Sequence, residues 1–188
     1  LREDVGPSVH YVSTKDLKGK TMPRKEVQNV RVPMSKKQYT LYQLALDRLG
    51  PIKERIVRGD PNVSVKDAKQ LFGQISQARQ LANSVHTGRT DITPAQSAKL
   101  SPKVNKVLQD TKQHLDEGSD HKVVLYSNLI RGGVDVLSAG LRELGIDHAT
   151  FVGKGTEIGK NKVTSITRQQ GVSDYKAGKK RVIVLSGA

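Results

Sequence analysis

From Ser35 onward apolar residues recur every three or four positions, and late in the chain they give way to short unbroken apolar runs. Ser35 followed by Gln38 has the form of a helix-capping pair. Tyr39, Tyr42, Leu46 and Leu49 continue at helical spacing until Gly50-Pro51, where the helix is expected to end. A second helix is predicted from Ser64 to about Val85, with Ala68, Leu71, Phe72, Ile75, Ala78, Ala82 and Val85 on its buried stripe. The turn-rich residues 86–100 are expected to form a mobile linker. Ser101-Pro102 then opens a third helix, with proline suited to its first turn. Val104, Val107, Leu108, Thr111 and Leu115 form its stripe, and Gly118 closes it. Ahead of all this, residues 9–13 and 27–34 alternate like short strands around a basic, turn-rich segment.

The texture changes after residue 120. KVVLYS (122–127) is a continuous apolar run, the pattern of a strand buried on both faces. Val134, Leu137, Leu141 and Leu144 form a helical stripe ending at Gly145, and HATFVG (148–153) is a second strand. A glycine- and lysine-rich loop, GKGTEIGKNK (153–162), precedes a polar helix over about 164–177 whose only large apolar side chains are Ile166 and Val172, with Tyr175 near its end. RVIVLS (181–186) is a third strand. Strands separated by helices in this way form a parallel α/β sheet, whose functional loops gather at the carboxyl ends of the strands. Three loops qualify: Ser127-Asn128, residues 153–162, and Ser186-Gly187-Ala188.

Charge adds a partner to this picture. Lys and Arg number 32 against 18 Asp and Glu, a formal net charge of +14 in 188 residues. A field of that sign attracts polyanions, nucleic acid first among them. The excess is local as well: residues 151–188 hold eight Lys or Arg and two acidic residues. Hydrophobic residues make up 35%, so one core can form while much of the chain stays solvated. With no cysteine, disulfides and thiolate metal sites are excluded. No apolar run approaches a membrane span, and the first residues lack a secretion-signal core, which points to an intracellular protein.

Candidate chemistry is sparse. The loop 153–162 invites a phosphate, since glycines let backbone N–H groups approach an anion and lysines add charge. It lacks the spacing of a Walker A loop: three residues separate Gly155 from Gly159, and Asn161 follows Lys160. A flexible basic surface loop is the competing reading. The five histidines, His10, His86, His114, His121 and His148, show no metal-binding spacing and read as surface or structural residues. Ser127 lies at a strand end without a nucleophile elbow around it, and suits a phosphate contact better than catalysis. Aromatic residues at 4% disfavour a base-stacking platform. Tyr39, Tyr42 and Phe72 are expected in helix packing.

Four stretches, in order, resemble the second half of the superfamily 2 helicase-like ATPases of Swi/Snf type, found in chromatin remodellers and in relatives from large DNA viruses and phages. Residues 22–42 resemble the family's passage from first to second lobe, and FGQISQARQLAN (72–83) its "L-x-x-x-R-q-x-x-n" helix. Residues 101–146 are similar to "S-x-K … K-v-v-i-(F/Y)-S-n … l-x-x-x-L-x-x-x-G-i", which includes motif IV. Phe151-Val152-Gly153, Arg168, Tyr175 and VIVLSGA follow its "l-x-G … R-x-x-x-(v/i)-x-x-(F/Y) … v-l-l-L-S-x-a", the opening of motif V. The sequence YSN with RGG after it is closer to the viral and phage members.

The resemblance implies a RecA-like α/β second motor lobe: an extended inter-lobe lead-in over 1–34, a helical insertion and linker over 35–100, and the lobe proper, incomplete at its C-terminus, over 101–188. It implies nucleic-acid contacts by Ser127, Asn128, Gly153, Lys154, Arg168, Ser186 and Gly187. The partners it implies are DNA, with RNA not set aside, and the first RecA-like lobe. ATP and Mg²⁺ would serve the complete motor. Walker A, Walker B, the rest of motif V and motif VI are missing from this sequence, so the chain by itself is expected to be inactive as an ATPase and to hold no nucleotide. The readings from other classes are a stand-alone basic nucleic-acid-binding module and a small α/β enzyme for phosphosugars or nucleotides.

Overall fold

A three-stranded parallel sheet carries the architecture. The computed structural model describes residues 26–86, 91–159 and 161–187. Its strands are β1 (Val123–Tyr126), β2 (His148–Phe151) and β5 (Val182–Leu185), with β5 between the other two. Val123, Val182 and His148 share one register level; Tyr126, Leu185 and Phe151 share the other end. A two-stranded antiparallel hairpin, β3 (Glu157–Ile158) with β4 (Asn161–Lys162), lies in the connection after β2.

Helices cover the sheet on both faces. On one side α4 (Pro102–Glu117) and α5 (Val136–Glu143) bring Val104, Leu108, Leu115, Leu137 and Leu141 against Leu125, Val182 and Val184 in one cluster. α6 (Ser165–Lys176) packs on β2 across the opposite face. Gly171 makes that approach possible, because a Cβ there would lie 3.2 Å from the Cβ of Ala149. β1 differs from expectation. Val124 and Tyr126 are 54% and 61% exposed, so only one face of this strand is buried. Full burial falls to β5, which has a neighbour on each side.

The helices before the sheet also depart from the sequence pattern in informative places. α1 (Lys36–Val57) runs through Gly50-Pro51 instead of ending there. Proline removes one backbone hydrogen bond. Before it Leu41, Tyr42, Leu46 and Leu49 pack around Ala45 and around Ala78 and Leu81 of α2 (Val65–Asn83), and beyond it Arg55 pairs with Asp60 and with Asp67 of α2. Ser35 caps α1 as expected, but Gln38 does not reach back to it. Its amide is buried and donates to the Leu81 carbonyl oxygen at 2.7 Å, tying α1 to α2. Phe72 and Ile75 face outward, with Phe72 70% exposed, so the predicted stripe of α2 is buried only toward its C-terminal end.

Within the expected linker, α3 (Pro94–Leu100) forms under a Thr93–Gln96 capping box. Its Ser97 and the following Ser101 are fully buried and hydrogen-bonded to the backbone N–H groups of His86 and Val85. The described part of the linker is therefore built into the core; residues 87–90 lie outside the described residues. The strand expected at 9–13 also lies outside them, and residues 26–35 carry no strand. By contact density the chain divides into Leu1–Arg31 and Val32–Ala188. Among the described residues no helix is long and apolar enough to cross a membrane.

Candidate nucleic-acid interface

Parallel pairing brings the three strand ends to one edge. Ser127 N–H donates to Leu185 O at 3.0 Å, and Ser186 N–H donates to Phe151 O at 3.0 Å. The ladder thus extends one residue past Tyr126, Leu185 and Phe151. Ser127-Asn128, Ser186-Gly187 and Gly153-Lys154 leave the sheet from the same edge, the place where open α/β sheets bind ligands. The Tyr126 hydroxyl donates to Asn128 Oδ1 at 2.5 Å. It also lies close to Gly187, where a Cβ would stand 2.9 Å from it.

The loop after β1 is tightly constrained. Ser127 Oγ accepts from Leu129 N–H and lies within hydrogen-bonding distance of Leu129 O, both at 3.2 Å. One turn of π-helix (Ile130–Asp135) follows, with Val134 N–H reaching back five residues to Leu129 O. Such turns insert an extra residue into a helix and recur at functional sites. The helical stripe expected from Val134 begins inside this turn, and the regular helix starts only at Val136. The reason is Gly133: a Cβ on it would lie 2.0 Å from Ser127 Oγ, so the widened turn brings backbone against the serine. Asn83 of α2 clamps the same turn through its side-chain amide on Gly132 O.

Beside Ser127 and Asn128 opens a cleft of about 390 Å³, lined also by Arg79 and Asn83 of α2 and by Lys103 of α4. No carboxylate lines it. Neither Arg79 nor Lys103 has an ion-pair partner among the described residues. Lys103 stands in the first turn of α4, which has no side-chain cap, because the hydroxyl of Ser101 is turned to Val85 N–H instead. Two cations, an uncapped helix start and the side-chain amide of Asn128 can together hold an anion such as a phosphate, while the Ser127 hydroxyl already donates to Leu129 O. Arg79 and Lys103 were missed as site residues. The helix motif and the S-x-K motif that contain them were visible in the sequence, but nothing local places them next to Ser127, which lies more than twenty residues away from each.

At the other end of the edge, Val152 is buried, Gly153 half-buried and Lys154 exposed. Arg168 reaches them from α6: its guanidinium sits over the Phe151 ring, 4.3 Å from the centroid. The stacking holds the cation at the carboxyl end of β2. The glycine- and lysine-rich loop is not a free surface loop. Ile158 is buried in the main core, and Gly155 N–H pairs with Val163 O at 2.9 Å. Gly159 N–H donates to Asp135 Oδ1 at 3.0 Å. The backbone donor offered to a phosphate is already bound to a carboxylate of the same chain. The loop does not fit a nucleotide phosphate at that point; Lys160 lies outside the described residues.

No family model matches the chain, and no curated protein does. Solved structures do. One is the "Sulfolobus solfataricus SWI2/SNF2 ATPase C-terminal domain", at a TM-score of 0.59 and 16% identity over 81% of this chain and 59% of that one. The "Sulfolobus solfataricus SWI2/SNF2 ATPase core domain" matches at a TM-score of 0.55 and 15% identity, over 81% of this chain and 28% of that one. The chain has the fold of a SWI2/SNF2 ATPase C-terminal domain. It is RecA-like α/β, with a parallel sheet and flanking helices. It spans 59% of the length of the first neighbour.

Proposed function

We propose that this chain is part of the second motor lobe of an ATP-driven DNA translocase or helicase, and that the carboxyl edge of its sheet carries the nucleic-acid backbone. The observation behind this reading is the shared edge of Ser127-Asn128, Gly153-Lys154 and Ser186-Gly187, with Arg79, Lys103 and Arg168 beside it. Such an edge meets phosphates and leaves bases unread. Residues 1–34 would lead in from the first lobe, 35–100 form the helical insertion and 101–188 the lobe itself.

ATP and Mg²⁺ belong to the complete motor in this reading. The sequence here supplies no Walker lysine or Walker carboxylate, and the glycine loop is already engaged by Asp135. The first lobe supplies the phosphate-binding machinery, and this chain alone does not turn over ATP. The contribution of this lobe is to grip the strand so that closure of the two lobes becomes translocation.

Binding of a fluorescent oligonucleotide tests the reading. Affinity should fall steeply between about 50 and 200 mM salt, by about 10³-fold or more for six phosphate contacts, with little preference among sequences. Salt-insensitive binding, or strong preference for one sequence, contradicts it.

A further inference from the structure

The end of α4 farthest from the proposed nucleic-acid edge gathers three groups that sequence spacing left apart. His114 and Glu117 stand in the last turn of α4, and His121 lies in the turn leading to β1. Their ligand atoms all lie within 4.8 Å of one another. The two imidazoles stack, with centroids 4.4 Å apart and planes at 20°.

We propose that His114, Glu117 and His121 form a binding site for a zinc-class divalent ion, with a fourth position open to water. Two hydrogen bonds prepare the ligands. His121 Nδ1 is 2.9 Å from the His114 carbonyl oxygen. A carbonyl only accepts, so in the neutral ring Nδ1 carries the proton and Nε2 keeps its lone pair, the arrangement that metal-binding histidines use. Gln113 donates to Glu117 Oε1 at 3.1 Å, which orients the carboxylate and leaves Oε2 toward His114, 3.6 Å from its Nδ1. Ligands bound to zinc at about 2.0–2.1 Å and the tetrahedral angle stand roughly 3.4 Å apart, so the His114–Glu117 pair is already near that spacing. The two stacked rings turn out of their parallel arrangement for their in-plane lone pairs to meet one ion.

The turn itself is held in place. Arg181 Nη1 donates to Leu115 O at 3.0 Å and Gly118 O at 2.8 Å, while a Cβ on Gly118 would come within 2.8 Å of the His121 ring. Two imidazoles and one carboxylate favour Zn²⁺ and its neighbours over Mg²⁺, which prefers oxygen ligands. Both His114 and Glu117 are about half exposed, so an ion can enter from solvent. Bound there, it would clamp the C-terminal turn of α4 to the start of β1.

Zn²⁺ competed against a chromophoric chelator is the direct test, on the native chain and on His114→Asn, His121→Asn and Glu117→Gln. The native chain should take up one Zn²⁺, millimolar Mg²⁺ should not compete, and each histidine change should weaken binding at least about 10-fold. Zn²⁺ should also raise the thermal midpoint of the native chain and leave that of His121→Asn unchanged. Zn²⁺ affinity that is equal in the native chain and both histidine variants, or absent in the micromolar range, overturns the site. Should a histidine variant fail to fold, Glu117→Gln decides in its place: retained affinity and midpoint shift count against the proposal.

Discussion

Gly159 donates its backbone N–H to Asp135 Oδ1 across 24 residues, joining the glycine-rich hairpin to the π-turn that follows the Ser127 loop. Two loops at the same edge of the sheet are thereby mechanically connected. Burial raises the pKa of Asp135 above the ordinary carboxylate value, and the hydrogen bond from Gly159 offsets only part of that.

The sign of this shift gives a pH prediction. A folded-state pKa raised for an acid means that the folded protein holds the proton more tightly than the unfolded chain. The charged form is then penalised, and stability falls as pH rises from the usual aspartate range through the raised folded value. Asp135→Asn keeps an acceptor for Gly159 and removes the charge. It should be at least as stable as the native chain at pH 7, with the advantage shrinking as the pH drops through that window. Asp135→Ala removes the acceptor and should lose about 1 kcal/mol. Urea denaturation at pH 7 and at pH 4 separates the three proteins.

Two glycines of the same region should separate fold from site. At Gly140 a Cβ would lie 2.2 Å from Leu108 Cδ1 in the core, and at Gly133 it would lie 2.0 Å from Ser127 Oγ. Each alanine substitution should cost about 1–3 kcal/mol by overpacking. DNA affinity, measured under conditions where both variants remain folded, should fall for Gly133→Ala, which displaces Ser127, and hold for Gly140→Ala.

Much of this was legible in the residues because it depends on local pattern. The three strands, the capped start of α2 at Ser64 and the buried stripe of α4 follow from periodicity and cap chemistry. What sequence reading got wrong depends on partners distant in the chain. Pro51 would end an isolated helix, but α1 continues past it, with its first half packed on α2 and Arg55 beyond the proline paired with Asp67 of α2. The buried Ser101, just after α3, and Ser97 within it looked like a polar linker because their partners, Val85 and His86, precede them by 16 and 11 residues. KVVLYS and RVIVLS look alike as apolar runs, yet only the central position of β5 makes it the strand buried on both faces. The candidate site divides in the same way. Strand-end residues were legible through topology, whereas Arg79 and Lys103 reach the cleft from helices whose placement no local signal encodes.

Arg181 offers a stability test away from the proposed interface. Its guanidinium, part-buried, caps the end of α4 through two carbonyl oxygens. Arg181→Ala leaves both without that donor and should cost about 1.5–3 kcal/mol. Arg181→Lys restores a charge near the helix terminus but not the forked geometry, so it should recover only part of the loss. Thermal unfolding of the two variants gives the ranking.

The central claim is that one edge of the sheet, not the basic surface at large, holds the nucleic-acid backbone. The most direct measurement is DNA affinity, as a function of salt, for single alanine substitutions of equal charge change. Arg79, Lys103, Lys154 and Arg168 lie at the proposed edge; Lys112, on the outer surface of α4 beside Asp116, and Lys179, just before β5 at the opposite edge, serve as references. Each of the first four should weaken binding and lower the log–log salt slope by about 1, as loss of one phosphate contact does, while Lys112→Ala and Lys179→Ala leave the slope close to native. Equal losses at all six positions would mean that charge acts without a site, and would contradict the account.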